Sequence, residues 1–249
     1  MIVANLATFP PRCSNLEKVV KSISPQVDRL NLVLNEYSEV LPELEAYPNV
    51  KMILPPRDLK DVGKFFPDVT GADYVFLIDD DIEYPADYIE RTVAAFNALP
   101  PGPKVAGYYA SIYAMPKFGL LPGQLKAWLL SKSRRRIARC RRVFKLIDKL
   151  EHSALVDQVA TGALIIRAAD MPPFSYMEGS EKFVDVRLSK WCFEQGIAAI
   201  VLPREAEWMH EVPFDESIWK GFTKKDPPHV AKEIWSYAFK TPRVGERPV

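Results

Sequence analysis

Apolar and polar residues follow two rhythms along this chain. IVANLAT from Ile2, RLNLVLN from Arg29, VKMILPP from Val50 and YVFLI from Tyr74 are short apolar runs, rich in β-branched and aromatic residues and too brief for helices. Between them the apolar positions take helical spacing, at Leu16, Val19, Val20 and Ile23 and again from about Pro85 to Ala98. The continuous apolar run Val75 to Ile78 predicts a strand buried on both faces, and the alternation of strands with helices or long connections predicts an α/β fold with an open, mostly parallel sheet flanked by helices. The second half is less regular. VAGYYASIYAMP predicts a strand leading into a Gly- and Pro-punctuated segment, DQVATGALIIRAADMP a strand after a small-residue turn, EKFVDVRLSKWCFEQG a helix stopped by Gly196, and IAAIVLP a last strand. Residues 132–149, KSRRRIARCRRVFKLIDK, predict a strongly basic helix within an insertion over about 124–152. No repeat or clear linker interrupts the chain, so the expected division is one domain over 1–223 and a peripheral C-terminal arm over 224–249.

Composition narrows the class. With 249 residues, 48% hydrophobic and 26% charged, the chain suits one sizeable core and is not a disordered polymer. A formal net charge of +1 argues against coating nucleic acid, and no nucleic-acid partner is expected. The three cysteines, Cys13, Cys140 and Cys192, form no CxxC pair and suggest neither a disulfide framework nor a zinc site. A chain without a long apolar run or a leader-like start is expected in the cytoplasm, neither secreted nor membrane-spanning.

The chemistry concentrates where the fourth apolar run ends, at Asp79, Asp80 and Asp81. Alternate residues of a strand share a face, so Asp79 and Asp81 can converge on one ligand while Asp80 points away or reaches another group. Three adjacent like charges repel, and a hard divalent cation with oxygen ligands, Mg²⁺ or Mn²⁺, is the obvious partner. The plainer alternative is an acidic loop that solvates its charges or caps the following helix.

The succession ATFPPR, a strand ending in LN, DVGKFF, YVFLIDDDIEYPADYI, VATGALIIR and FVDVRLSKWCFEQGI resembles the bacterial family-2-type glycosyltransferases of the GT-A fold, over roughly residues 1–205. The resemblance implies transfer of a sugar from a nucleotide diphosphate sugar, UDP- or GDP-linked, to a glycan or lipid-linked acceptor in bacterial surface polysaccharide synthesis. It also implies roles for particular residues. Thr8, Pro10 and Arg12 correspond to the first-strand turn that holds the nucleoside, and Lys64 to a basic residue near base or phosphate. Asp79 would face ribose or sugar hydroxyls, Asp80 would touch the donor or support from behind, and Asp81 would hold the metal. Asp185 matches the catalytic acidic residue at a helix start, the base that takes the acceptor hydroxyl's proton in an inverting transfer, with Glu181 as the nearby substitute, and His210 the histidine that completes the metal shell in many such enzymes. Gly162 in the VATGAL turn would let backbone approach the sugar, since it has no side chain to block it.

Each assignment has a bland counterpart. Arg12 and Lys64 could be surface charge, Asp185 a helix-dipole partner, Trp208 a core aromatic rather than a stacking platform. The basic stretch Lys132–Lys149 has three readings: a solvated helix face, a clamp for a phosphorylated acceptor, or a surface for anionic membrane that would make the protein peripheral on the inner face. Two rival functions stay open. A sugar-phosphate nucleotidyltransferase should carry a Gly-rich loop after its first strand, where this chain has FPPR, and an inactive binding module should have lost the acids that are present here.

Overall fold

A computed structural model describes residues 1–113, 137, 141–212, 222 and 227–238. The first four apolar runs are strands β1 (Ile2–Thr8), β2 (Arg29–Leu34), β3 (Val50–Ile53) and β4 (Tyr74–Ile78), followed by a short β5 (Ile82–Glu83). Helix α1 (Cys13–Ile23) lies between β1 and β2, and α2 (Tyr88–Ala98) follows β5. Next come β6 (Lys104–Gly107), β7 (Ala110–Tyr113), β8 (Arg141–Phe144), β9 (Ala154–Leu155), β10 (Gln158–Val159) and β11 (Ala163–Arg167). Helices α3 (Phe174–Met177) and α4 (Val184–Gln195), strands β12 (Ala198–Val201) and β13 (His210–Glu211), and helix α5 (Pro228–Tyr237) complete the described chain.

Eight strands form the central sheet in the order β3-β2-β1-β4-β11-β6-β12-β9. β1 pairs parallel with β2 and β4, β2 with β3, and β6 with β12. β11 runs antiparallel between β4 and β6, so its first residue, Ala163, lies opposite Ile78 at the carboxyl end of β4. The alternation of side chains explains why β4 is apolar throughout. Phe76 and Ile78 of β4 pack with Leu16, Val19, Val20 and Ile23 of α1 on one face, while Val75 and Leu77 join Leu164, Ile166 and the α4 residues Val184, Leu188 and Cys192 on the other. Full burial of each such side chain contributes about 1.5–3 kcal/mol. Helix α4 ends at Gly196, whose φ of 67° is the left-handed cap that glycine adopts without strain.

A three-stranded sheet, β10-β7-β8, stands beside the main one. Here the sequence reading needs correction: Arg141–Phe144, assigned to a basic helix, form a strand paired antiparallel with β7. Val143 and Phe144 favour a pleated strand, and the long-range pairing overrides the helical look of the local sequence. The rest of the basic stretch, Ile137 excepted, lies outside the described residues. Within the segment expected as an arm, α5 packs on α4, burying Val230, Ala231, Ile234 and Tyr237 against Phe183, Val186 and Tyr113. Among the described residues no helix is long and apolar enough to cross a membrane.

Candidate active site

Ligands in open α/β sheets gather beyond the carboxyl ends of the parallel strands, and here a cleft of about 1310 Å³ opens at that edge. Thr8, Arg12, Lys64, Asp79, Asp80, Asp81, Gly162 and Asp185 all line it, brought from the turn after β1, the loop after β3, the end of β4, the start of β11 and the first turn of α4.

The repulsion expected among the aspartates is answered partly from within the protein. Asp80 is buried, accepting from the Thr8 hydroxyl at 2.6 Å and from Arg12 Nη1 at 2.7 Å, while Asn15 donates to its carbonyl at 2.6 Å. The same Arg12 nitrogen lies 2.9 Å from Asp81 Oδ2. Lys64, almost wholly buried, pairs with Asp79 Oδ1 and donates to Thr161 O at 3.2 Å. Burial works against the Lys64 ammonium, but Asp79, with Asp185 and Asp61 behind it, outweighs burial and raises its pKa. Burial and the neighbouring Asp79 charge push Asp81 up to about 7, despite Arg12.

Thr161 links this cluster to Asp185. Its backbone N–H and its hydroxyl both donate to Asp185 Oδ1, at 2.8 and 2.9 Å, leaving Oδ2 for another partner. Burial raises the pKa of Asp185, while the Thr161 bonds and Lys64 pull it down. Gly162 gives the site its closeness. A Cβ built there falls 2.3 Å from Asp79 Oδ2, so only glycine lets this turn meet the carboxylate. Tyr84 secures the contact: its hydroxyl donates to Gly162 O and accepts from the Asp79 N–H, the latter at 2.8 Å.

Some predicted residues lie elsewhere. His210 is exposed, and strand alternation turns its neighbour Glu211, rather than His210, toward the cleft. Pro10 starts the 3-10 turn Pro10–Arg12 and does not line the cleft, whereas Pro11 does. Glu181 lies 3.8 Å from Arg57 Nη1 and is not part of the lining. Trp208 packs in the core against Tyr108, with the Arg91 guanidinium 4.4 Å over its ring.

Sequence reasoning passed over several lining residues, Glu36, Asp58, Lys60, Asp61, Tyr109 and Glu211, while Arg141 comes from the basic stretch. Asp61 was within reach, three residues before Lys64 in the same DVGKFF motif. It accepts the Lys182 N–H at 2.7 Å, and burial pushes it up to about 7.

The cluster suits a hard divalent ion, since Asp79 and Asp81 offer carboxylate oxygens to the cleft and their repulsion is only partly relieved. Among the described residues no group of three or more His, Cys, Asp or Glu side chains is arranged around one ion position. A resident ion would therefore need ligands from substrate or water.

No protein-family model and no curated protein sequence matches the chain. Solved structures match in fold. Glucosyl-3-phosphoglycerate synthase from Mycobacterium tuberculosis, in complex with Mn²⁺, UDP-glucose and phosphoglyceric acid, aligns with a TM-score of 0.52 at 15% identity, over 96% of this chain and 79% of that one. The same enzyme in complex with phosphoglyceric acid aligns with a TM-score of 0.52 at 15% identity, over 96% of this chain and 80% of that one. At such identity the likeness speaks for architecture, and the architecture of this chain is GT-A-like: a mixed α/β domain whose large, mainly parallel sheet is flanked by helices.

Proposed function

We propose that this protein is a metal-dependent, inverting glycosyltransferase that moves a sugar from a UDP- or GDP-linked donor to a hydroxyl of a glycan or lipid-linked acceptor, in the assembly of a bacterial surface polysaccharide. One observation carries the reading: the continuous link from Asp79 through Lys64 and Thr161 to Asp185, which joins the aspartate triplet to a second acidic position across one cleft. The fold neighbour crystallised with Mn²⁺ and UDP-glucose supports the nucleotide-sugar and divalent-ion parts of it.

In this reading Thr8 and Arg12 bind the nucleoside diphosphate, and Asp79 orients ribose or sugar hydroxyls. Asp81, with Asp79, would hold a divalent ion, Mn²⁺ or Mg²⁺, that supplies Lewis-acid neutralisation of the leaving diphosphate. Asp185 takes the proton of the attacking acceptor hydroxyl on Oδ2, and burial makes it a stronger base than a solvated aspartate. The Thr161 bonds aim that carboxylate. The turn after β1 is a proline-led 3-10 turn, not the glycine-rich phosphate loop of a nucleotidyltransferase.

The test is release of nucleoside diphosphate from a panel of UDP- and GDP-sugars, with Mn²⁺ and with chelator. Metal-dependent release from one donor, lost in Asp81→Ala, is the expected result. Absence of both turnover and binding across the panel would overturn the proposal.

A further inference from the structure

Asp79, Asp80 and Asp81 are met by two cations of the protein's own, and the two are held differently. Lys64 is buried and fixed between Asp79 and the Thr161 carbonyl. Arg12 bridges two carboxylates with one nitrogen. Of those, Asp80 is its permanent anchor: only 3% of that side chain is exposed, and its second oxygen is taken by Thr8. Asp81 has 29% of its side chain exposed, faces the cleft, and is the carboxylate free to turn toward an ion. The guanidinium therefore stands against the position that a cation on Asp81 would occupy.

We infer that Arg12 is a resident counter-ion which disfavours a divalent cation at Asp81 until a diphosphate arrives, so that ion and nucleotide bind as a coupled pair. The inference rests on the glycosyltransferase reading and adds an order of assembly to it. Charge supports it. At the Arg12 pair itself one guanidinium nitrogen answers two carboxylates, Asp80 and Asp81, inside the cleft wall. A lone dication on Asp81 would stand beside that guanidinium, and like charges in a partly buried site repel strongly. A dication together with the two negative charges of a donor diphosphate leaves the balance where it began. Coordination supports it as well, because no group of three or more His, Cys, Asp or Glu side chains among the described residues surrounds an ion position. Phosphate oxygens would supply the missing ligands, and the Arg12 guanidinium, anchored on Asp80, would stand beside the diphosphate as its counter-charge.

Calorimetric titration of Mn²⁺ into the wild-type protein and into Arg12→Gln, each with and without UDP or GDP, tests this. Wild type should bind Mn²⁺ weakly by itself and about tenfold or more tightly with the nucleotide, and by reciprocity the ion should tighten the nucleotide equally. Arg12→Gln should bind Mn²⁺ by itself about tenfold more tightly than wild type, and its nucleotide-induced gain should shrink. Arg12→Lys, which keeps the charge, should keep Mn²⁺ binding weak in the absence of nucleotide. Should Arg12→Gln fail to fold around the uncompensated Asp80, the double variant Arg12→Gln/Asp80→Asn removes both charges and carries the same expectation. Nucleotide binding with no gain in Mn²⁺ affinity in the charge-free variants overturns the counter-ion role while leaving the proposed function intact. Failure of wild type to bind either nucleotide under any condition overturns both.

Discussion

Gly162 offers the sharpest test of the site, because the tightest contact there is with one carboxylate. The added carbon of Gly162→Ala would lie 2.3 Å from Asp79 Oδ2, 3.0 Å from its Cγ and 3.1 Å from Ile82 Cδ1. Comfortable contact needs about 3.5 Å, so the carboxylate must retreat by about 1 Å. The backbone has little freedom to help: the Asp79 N–H donates to Gly162 O at 3.2 Å, and Tyr84 holds the same two groups. Asp79 therefore rotates into the cleft and away from Lys64, which retains the Thr161 carbonyl as its nearest acceptor. Overpacking of this kind costs about 1–3 kcal/mol, a fall in Tm of about 2–12 °C for a chain of this length. Donor affinity should fall tenfold for each ~1.4 kcal/mol lost from a correctly placed Asp79. Thermal melts, and titration with UDP or GDP and Mn²⁺, measure both. The decisive control repeats the change in an Asp79→Ala background, where the obstructing carboxylate is gone and Gly162→Ala should cost under about 0.5 kcal/mol. Equal cost in both backgrounds would refute the reasoning.

Three further outcomes are expected. Asp185→Asn should lower transfer by about 100- to 10,000-fold with UDP or GDP binding unchanged, whereas Glu181→Gln, whose parent side chain faces Arg57, should transfer normally in the same assay. Asp61 binds its proton more tightly in the folded state, with a pKa near 7 against 3.8 when free, so its burial lowers stability progressively as pH rises from about 4 to 7. Asp61→Asn should therefore raise Tm at pH 8 and leave it unchanged near pH 3, and an equal effect at both pH values would dismiss the burial cost. Arg204 is buried and donates to the carbonyls of Lys145, Leu146 and Leu202, so Arg204→Met should strand those acceptors and cost about 3 kcal/mol in denaturant unfolding.

The layout was legible where local pattern and tertiary burial agree. Val75 to Ile78 read as a strand apolar on both faces and are buried on both, and the aspartates stand at its carboxyl end as expected. Direction was not legible: ALIIR is apolar at nearly every position, and such a run reads identically whether it lies parallel or antiparallel to its neighbours. The strand β8 was missed because its hydrogen bonds come from β7, across a long stretch of chain, and the arginines before it suggested a helix. The need for positive charge at the triplet was predicted from repulsion. Its supply by Arg12 and Lys64 was not, since pairing between residues so far apart in sequence leaves no local mark. Strand parity decided His210 against Glu211, and a register of that kind is fixed by the β5 pairing.

The reversed strand at the centre of the sheet also governs when this protein can fold. β4 has β1 on one side from early in synthesis, but its other edge is filled by β11, which pairs Ile78 with Ala163. Until the ribosome has released that distant segment, Val75, Phe76, Leu77 and Ile78 present an unpaired apolar edge, the kind that recruits other chains. The strand carrying the aspartates at its tip is thus also the nascent chain's most exposed seam. A fragment ending before Ala163 should aggregate rather than persist as a half-built donor site, and one extended through Arg167 should gain solubility because its seam is closed.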